Sequence, residues 1–254
     1  MDRAVGTRSF GPVAPYYDHL MQSVPYERWA DYTEALLDAT HPDPADLLEL
    51  CCGTGKFGLA MARRGYRVTG ADLSYPMVAE ARRVVTREGT AMDLLVADAC
   101  ALPFEERFDA VVSVFDSLNY ITHDGGLEEA FASAYRALRP GGIFAFDMNT
   151  VHALEEELFT QSRTGEGERL RYDWVSSWDA KTRLSTIRMR FEWQDGSEVR
   201  EFDEVHVQRG YEDDEIREGL AATGFELEGA YIAYTLHPLR EGASRAYYIA
   251  VRPY

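Results

Sequence analysis

A glycine-rich turn between an apolar run and an amphipathic run is the feature that most constrains this chain. Residues 47–50 are mostly leucine, Gly53, Gly55 and Gly58 follow, and a helical pattern of apolar side chains continues after them. Glycine lets the backbone turn sharply and lets a ligand approach it closely. A helix N-terminus offers unpaired N–H groups and the positive end of a dipole. The segment therefore predicts a strand, a tight loop and a helix that together receive an anionic group.

Two acidic residues near this turn indicate which kind of nucleotide it suits. The three glycines match the dinucleotide fingerprint, and Asp72 follows at about the spacing expected of a ribose ligand. Glu49, however, lies just before the turn, where it would repel the pyrophosphate of NAD and attract an ammonium group. S-adenosylmethionine carries an ammonium group, a carboxylate, a ribose and an adenine, which match Glu49, the glycine turn, Asp72 and a later residue. A loop for another nucleotide, NAD included, remains the alternative.

Composition limits the partners of the chain. With 43 acidic and 26 basic residues the net charge is −17, and no run of Lys and Arg supplies the basic surface that nucleic acid needs. No apolar run approaches the ~18 residues of a membrane span. Residues 1–15 lack a signal-peptide core, and three cysteines fit a reducing compartment, so we expect a cytoplasmic protein without a metal site.

Strand-like runs alternate with helical patterns through the first part of the chain. After the first strand they cover residues 66–72, 94–98, 108–115 and 143–147. This alternation predicts a parallel sheet that binds its ligand at the carboxyl ends of the strands. The first four strands end at Glu49, Asp72, Asp98 and Asp116, so we expect these acids to meet at one edge.

The segments outside this alternation have other patterns. Helical patterns cover residues 14–21 and 26–39, and the second ends at the prolines of residues 41–44. Residues 170–209 are rich in aromatic and β-branched residues, and Asp195-Gly196 is a hairpin turn signal. A two-residue turn there places Arg190 opposite Glu201, although Arg200 and Glu204 then fall on the apolar face. Residues 213–223 return to helix, and residues 225–234 and 246–251 predict an antiparallel strand pair.

The order of these parts resembles class I S-adenosylmethionine-dependent methyltransferases. Residues 17–29, 116–120 and 202–209 narrow the resemblance to the YqeM-like bacterial branch, which matches residues 13–252. More loosely, the β-rich part is similar to amino-sugar N-methyltransferases. The resemblance implies a Rossmann-like α/β fold: a seven-stranded, mostly parallel sheet with helices on both faces. It also implies a helical cover (residues 1–40), a core (residues 41–150 and 210–254) and a β-rich insert after the fifth strand (residues 151–209).

The resemblance also implies a set of site residues. Those expected to bind S-adenosylmethionine are Tyr17, Glu49, Gly53, Thr54, Gly55, Asp72, Leu73, Met77, Asp98, Ala99 and Phe115. Those expected on the acceptor side are His206, Arg209 and Tyr17. For His206, Phe115 and Tyr17 a purely structural role in the core remains the alternative.

The predicted function is in-line methyl transfer from S-adenosylmethionine to nitrogen or oxygen of a small molecule. The cofactor brings its own leaving group, so a catalytic triad is not required. The fourth strand continues into residues 115–120 without the Asp-Pro-Pro-Tyr pattern of many enzymes that methylate base amino groups. The alternatives are a module that binds S-adenosylmethionine without turnover, and a methyltransferase with an RNA or protein acceptor.

Overall fold

The computed structural model describes residues 9–40, 44–164 and 168–254. The elements up to the fifth strand are α1 (Tyr17–Leu20), α2 (Tyr26–Thr40), β1 (Asp46–Leu50), α3 (Lys56–Arg63), β2 (Arg67–Asp72), α4 (Tyr75–Glu88), β3 (Asp93–Val96), β4 (Phe108–Ser113), α5 (Gly126–Ala137) and β5 (Leu138–Asn149). The later elements are α6 (Val151–Glu155), β6 (Gln161–Arg163), β7 (Leu170–Asp179), β8 (Leu184–Asp195), β9 (Glu198–Arg209), α7 (Asp213–Ala222), β10 (Glu226–Ile232) and β11 (Arg245–Val251). Among these residues, no helix is both long and apolar enough to cross a membrane.

Within the described residues the strands form a large sheet of seven strands and a small sheet of four. The order of the large sheet is β10-β11-β5-β4-β1-β2-β3. Strands β1 to β5 pair in parallel, whereas β11 is antiparallel to both β5 and β10. The predicted fold class is confirmed, including the antiparallel pair at the end of the chain.

Both faces of the large sheet are covered, because its central strands are apolar on both sides. On one face Leu48 and Leu50 of β1 belong to the cluster that includes Phe131 of α5 and Leu220 of α7. On the other face Leu47 packs in a cluster with α2 and α3. The carboxyl edge of the sheet lies between these two layers and is left open to the small sheet and the N-terminal segment.

The N-terminal segment differs in part from the predicted pattern. Helix α2 forms as predicted, and its buried residues are Ala30, Thr33 and Leu37. Its predicted end at residues 41–44 lies largely outside the described residues. The helix predicted at residues 14–21 is instead a 3-10 turn, Ala14–Tyr16, followed by the single turn of α1. Val13 and Ala14 pack against Ile187 and Phe191 of the small sheet.

The small sheet has the order β6-β7-β8-β9 and lies within the predicted insert. The predicted register of its β8–β9 hairpin is wrong by two residues. Asp195 pairs with Glu198, so the loop is Gly196-Ser197, and Arg190 faces Asp203 instead of Glu201. Gly196 has a φ of +61°, which suits glycine at the first loop position. The division of the chain into cover, core and insert stays a prediction.

Candidate active site

The four acids that end the parallel strands line one cavity of about 470 Å³. They are Glu49, Asp72, Asp98 and Asp116. The N-terminal segment forms a second wall of this cavity and the small sheet forms a third. Carboxyl ends of parallel strands meet at one edge of a sheet, which explains why acids far apart in sequence come together.

The glycine turn takes the backbone conformation that its sequence predicts. Gly53 and Gly55 have φ values of +53° and +77°, in the left-handed region, and Gly55 directly precedes α3. Gly58 has a different role. A Cβ at this position would overlap Oε2 of Glu49 and the end of the Met92 side chain, so a larger residue could fit only if these groups moved.

Glu49 is a buried carboxylate on β1 with 2% exposure. Among the described residues, nothing forms a hydrogen bond with its Oε2. Burial raises the pKa of Glu49 well above its usual range. The hydrogen bond from the Gly58 N–H lowers this pKa, but by less, and the charge of Asp72 raises it further. Buried polar atoms almost always have a partner, so this oxygen is a strong indication of a cationic ligand.

Asp72 and Asp98 are fixed by backbone N–H groups. Asp72 accepts hydrogen bonds from Gly53 and Ser74, both at 2.8 Å, and burial raises its pKa. Ser74 is the N-cap of α4, so capping does not account for Asp72. Asp98 accepts from the N–H of Cys100 at 2.9 Å. Each carboxylate retains acceptor capacity beyond these bonds.

The N-terminal segment closes over the glycine turn through one carboxylate. Asp18 accepts a hydrogen bond of 2.7 Å from Oγ1 of Thr54, and Nζ of Lys56 lies 3.6 Å from its other oxygen. The ring of Tyr17 lies 4.0 Å from the Cβ position of Gly53. Burial raises the pKa of the Tyr17 phenol, so it faces the cavity as a neutral group.

The end of β4 is held by a polar network that the sequence did not indicate. Phe115 and Asp116 both have positive φ. The N–H of Asp116 donates to Asp147, and its two oxygens accept from Arg245 and from Gln208, each at 2.6 Å. Burial raises the pKa of Asp116, and Arg245 opposes that shift. The guanidinium of Arg245 also lies over the ring of Phe115.

His206 and Arg209 lie in different places although they are three residues apart on β9. His206 lines the cavity, and both of its ring nitrogens have partners: Nδ1 is 2.9 Å from the Tyr120 hydroxyl and Nε2 is 2.5 Å from Oε2 of Glu204. Arg209 does not line the cavity. Its guanidinium pairs with Asp124 at 2.9 Å on the surface, so the structure does not bring it to the acceptor side.

The remaining predicted site residues are on the cavity wall. They are Tyr17, Gly53, Thr54, Leu73, Met77, Ala99 and Phe115. Gly55 is the N-cap of α3 and does not itself line the cavity. The wall also contains residues that the sequence did not single out as site residues. They include Phe10, Trp174, Ile187, Phe191, Gln208 and Arg245.

Comparison with known proteins finds relatives across this chain. The family described as the methyltransferase domain matches residues 47–142, which include the glycine turn. YqeM of Bacillus subtilis (strain 168), a methyltransferase by name, is 34% identical over 223 residues, covering 87% of this chain and 88% of YqeM.

Solved structures share the fold. An S-adenosylmethionine-dependent methyltransferase from Clostridium acetobutylicum has a TM-score of 0.86 at 24% identity, covering 96% of this chain and 98% of its own. CalS10, an amino pentose methyltransferase from Micromonospora echinaspora solved with its cofactor bound, has a TM-score of 0.71 at 21% identity, covering 94% and 96%. At these identities the likeness is one of fold.

Proposed function

Because this chain belongs to the S-adenosylmethionine-dependent methyltransferases, in the YqeM branch, we propose that it methylates nitrogen or oxygen of a small molecule. The observation that carries this proposal is the composition of the cavity. An unpaired acidic oxygen, that of Glu49, lies on the wall formed by the large sheet, and the opposite wall is apolar and includes His206.

The residues present suit the cofactor of the family. Oε2 of Glu49 would offer a partner to the ammonium group, the Gly53 turn would receive the carboxylate, and Asp72 would accept from the ribose hydroxyls. Asp98 and Ala99 would border the adenine. S-adenosylmethionine supplies an activated methyl group when bound. The chain itself has to bind, align the acceptor and exclude water.

The second half of the cavity is suited to a small acceptor. Its walls combine Trp174, Ile187 and Phe191 of the small sheet with the polar groups of Tyr120 and His206. A cavity of about 470 Å³ is within the ~300–1,000 Å³ range of small-molecule sites. The net charge of −17 disfavours RNA as the acceptor. CalS10, a relative by fold, is named for an amino sugar acceptor.

A fractionated cell extract tests the acceptor class. The protein is incubated with S-adenosylmethionine and with the small-molecule, RNA or protein fraction, and release of S-adenosylhomocysteine is measured. Release with the small-molecule fraction supports the proposal, and an Asp72→Ala variant is the control that should release much less at a cofactor concentration that does not saturate it. Release only with the RNA or protein fraction would overturn it. Tight cofactor binding without release in any fraction would indicate a non-catalytic binding module.

We also propose that the protein works in the cytoplasm. Cys51 and Cys52 are adjacent in the described part of the chain, and neither is in a disulfide. Unlinked cysteines are typical of a reducing compartment. Thiol titration after denaturation, on protein purified without reductant, should count three thiols per chain; a lower count from a disulfide would contradict the proposal.

A further inference from the structure

Three polar side chains form a continuous hydrogen-bonded chain from the cavity into the interior. The Tyr120 hydroxyl is 2.9 Å from Nδ1 of His206, and Nε2 of His206 is 2.5 Å from Oε2 of Glu204. Tyr120 and His206 line the cavity, whereas His206 and Glu204 are only 2% and 5% exposed. Since both nitrogens of His206 are occupied, it cannot reach an acceptor directly. Tyr120 is the member of this hydrogen-bonded chain that lines the cavity and is not held on both sides by the other two.

The partners of Glu204 determine the direction of these hydrogen bonds. Oε1 accepts from the N–H of Val13 at 2.8 Å and Oε2 accepts from the N–H of Phe10 at 3.0 Å. Backbone N–H groups can only donate, so both oxygens of Glu204 act as acceptors. These acceptors favour the neutral tautomer of His206 with its hydrogen on Nε2, which donates to Oε2. In that tautomer Nδ1 has a lone pair, which accepts from the Tyr120 hydroxyl.

The surroundings of Tyr120 keep its hydroxyl protonated. Burial raises the pKa of Tyr120 well above its usual range, and Asp116 raises it further. The phenol is therefore a group that passes a proton on, and it is not a standing phenolate base. The ring of Phe10 packs against both rings, with centroids 4.5 Å from His206 and 5.2 Å from Tyr120, and shields the pair.

We propose that Tyr120 is a catalytic residue, which takes the acceptor's proton while its own proton moves to His206. This proposal rests on the proposed function. The acceptor atom donates its lone pair to the methyl carbon, and the electrons of the broken carbon–sulfur bond stay on sulfur. The acceptor's proton goes to the Tyr120 oxygen, and the phenolic proton goes to Nδ1 of His206. The imidazolium that results is stabilised by Glu204, so His206 and Glu204 are positioning residues.

Nitrogen NMR of histidine tests the relay without any acceptor. Full-length protein labelled with ¹⁵N-histidine is saturated with S-adenosylhomocysteine, and the His206 signals are assigned with a His206→Gln variant. The expected result is a neutral ring with the hydrogen on Nε2, and a Tyr120→Phe variant should shift the Nδ1 resonance. A hydrogen on Nδ1, or an Nδ1 signal unmoved by Tyr120→Phe, would overturn the relay.

Kinetics with the acceptor found in the fractionation experiment test the role in turnover. Tyr120→Phe should lower kcat by ~10²–10⁴-fold, the usual contribution of acid–base catalysis, and leave the affinity for S-adenosylhomocysteine within a few-fold. Tyr248→Phe is the matched control, because it removes a buried hydroxyl that binds Asp213. Full kcat in Tyr120→Phe, or an equal loss in Tyr248→Phe, would refute the role. If the wild type methylates nothing, the proposed function fails, and the NMR result still decides the relay.

Discussion

Replacing Glu49 by glutamine should weaken cofactor binding and at the same time stabilise the cofactor-free protein. The carboxylate is buried, and its Oε2 has no hydrogen-bond partner among the described residues. A hydrogen bond between charged groups contributes ~1.5–3 kcal/mol, which corresponds to a roughly 10- to 150-fold loss of affinity for S-adenosylhomocysteine. Without ligand the same charge is destabilising, because the Gly58 N–H only partly compensates its desolvation.

The raised pKa of Glu49 determines how the effects of Glu49→Gln on stability and affinity change with pH. Burial raises the pKa of Glu49 in the folded protein above the unfolded value of 4.5. The stability that this carboxyl contributes is therefore fully present below pH 4.5 and is lost as the pH rises through the folded pKa. Glutamine does not titrate, so the stability advantage of Glu49→Gln should grow with pH. The affinity of the wild type for the cofactor should rise over that same interval, since an ammonium group favours the ionised carboxylate.

Calorimetry with S-adenosylhomocysteine measures the change in affinity, and thermal melts measure the change in stability. Both are run from about pH 5, just above the ordinary carboxyl pKa, to about pH 8. Glu226→Gln is the matched control, because Glu226 is exposed at the start of β10 and should change neither. Wild-type affinity in Glu49→Gln, or a lower melting temperature of the cofactor-free variant at the higher pH, would refute the assignment of Glu49 to the ammonium group.

Three further substitutions test other parts of the site. Asp72→Ala should weaken S-adenosylhomocysteine by roughly 10- to 100-fold in calorimetry; unchanged affinity would remove Asp72 from the ribose site. Gly58→Ala should lower both melting temperature and affinity, because its Cβ would displace the Glu49 carboxylate and the end of Met92; a normal melt and normal binding would contradict that contact. Arg209→Ala should leave initial rates nearly unchanged, since Arg209 does not line the cavity and its partner Asp124 is exposed; a large loss would return Arg209 to the acceptor side.

The large sheet could be predicted because its signals are local and periodic. Each parallel strand is a short apolar run next to a helical pattern, and the glycine turn marks the first of them. The register of the β8–β9 hairpin in the small sheet was harder to predict. Asp195-Gly196 and Gly196-Ser197 are both turn candidates, and opposite charges also face each other in the true register, where Arg190 lies 3.3 Å from Asp203. Local turn chemistry did not separate the two.

The part of the site that comes from parallel strand ends could also be predicted, and the rest could not. Arg245 is the first residue of β11, which runs antiparallel to β5, so its start lies at the carboxyl edge of the sheet. Gln208 reaches the same place from the small sheet. Gln208 belongs to a segment that carries the family resemblance, but nothing in the sequence links it or Arg245 to Asp116, which is about 90 to 130 residues away in the chain. Such contacts depend on tertiary packing, which a single sequence does not display.

Glu204 shows that one of these tertiary contacts did leave a trace in the sequence. The alternating pattern of β9 places it on the apolar face, where a carboxylate without partners would be strongly destabilising. A charged residue retained at such a position therefore requires donors from another segment. The structure supplies them as the N–H groups of Phe10 and Val13 and as His206. The same carboxylate thus ties the N-terminal segment to the small sheet and orients the histidine behind Tyr120, so a break in the hydrophobic pattern coincided with the proposed catalytic relay.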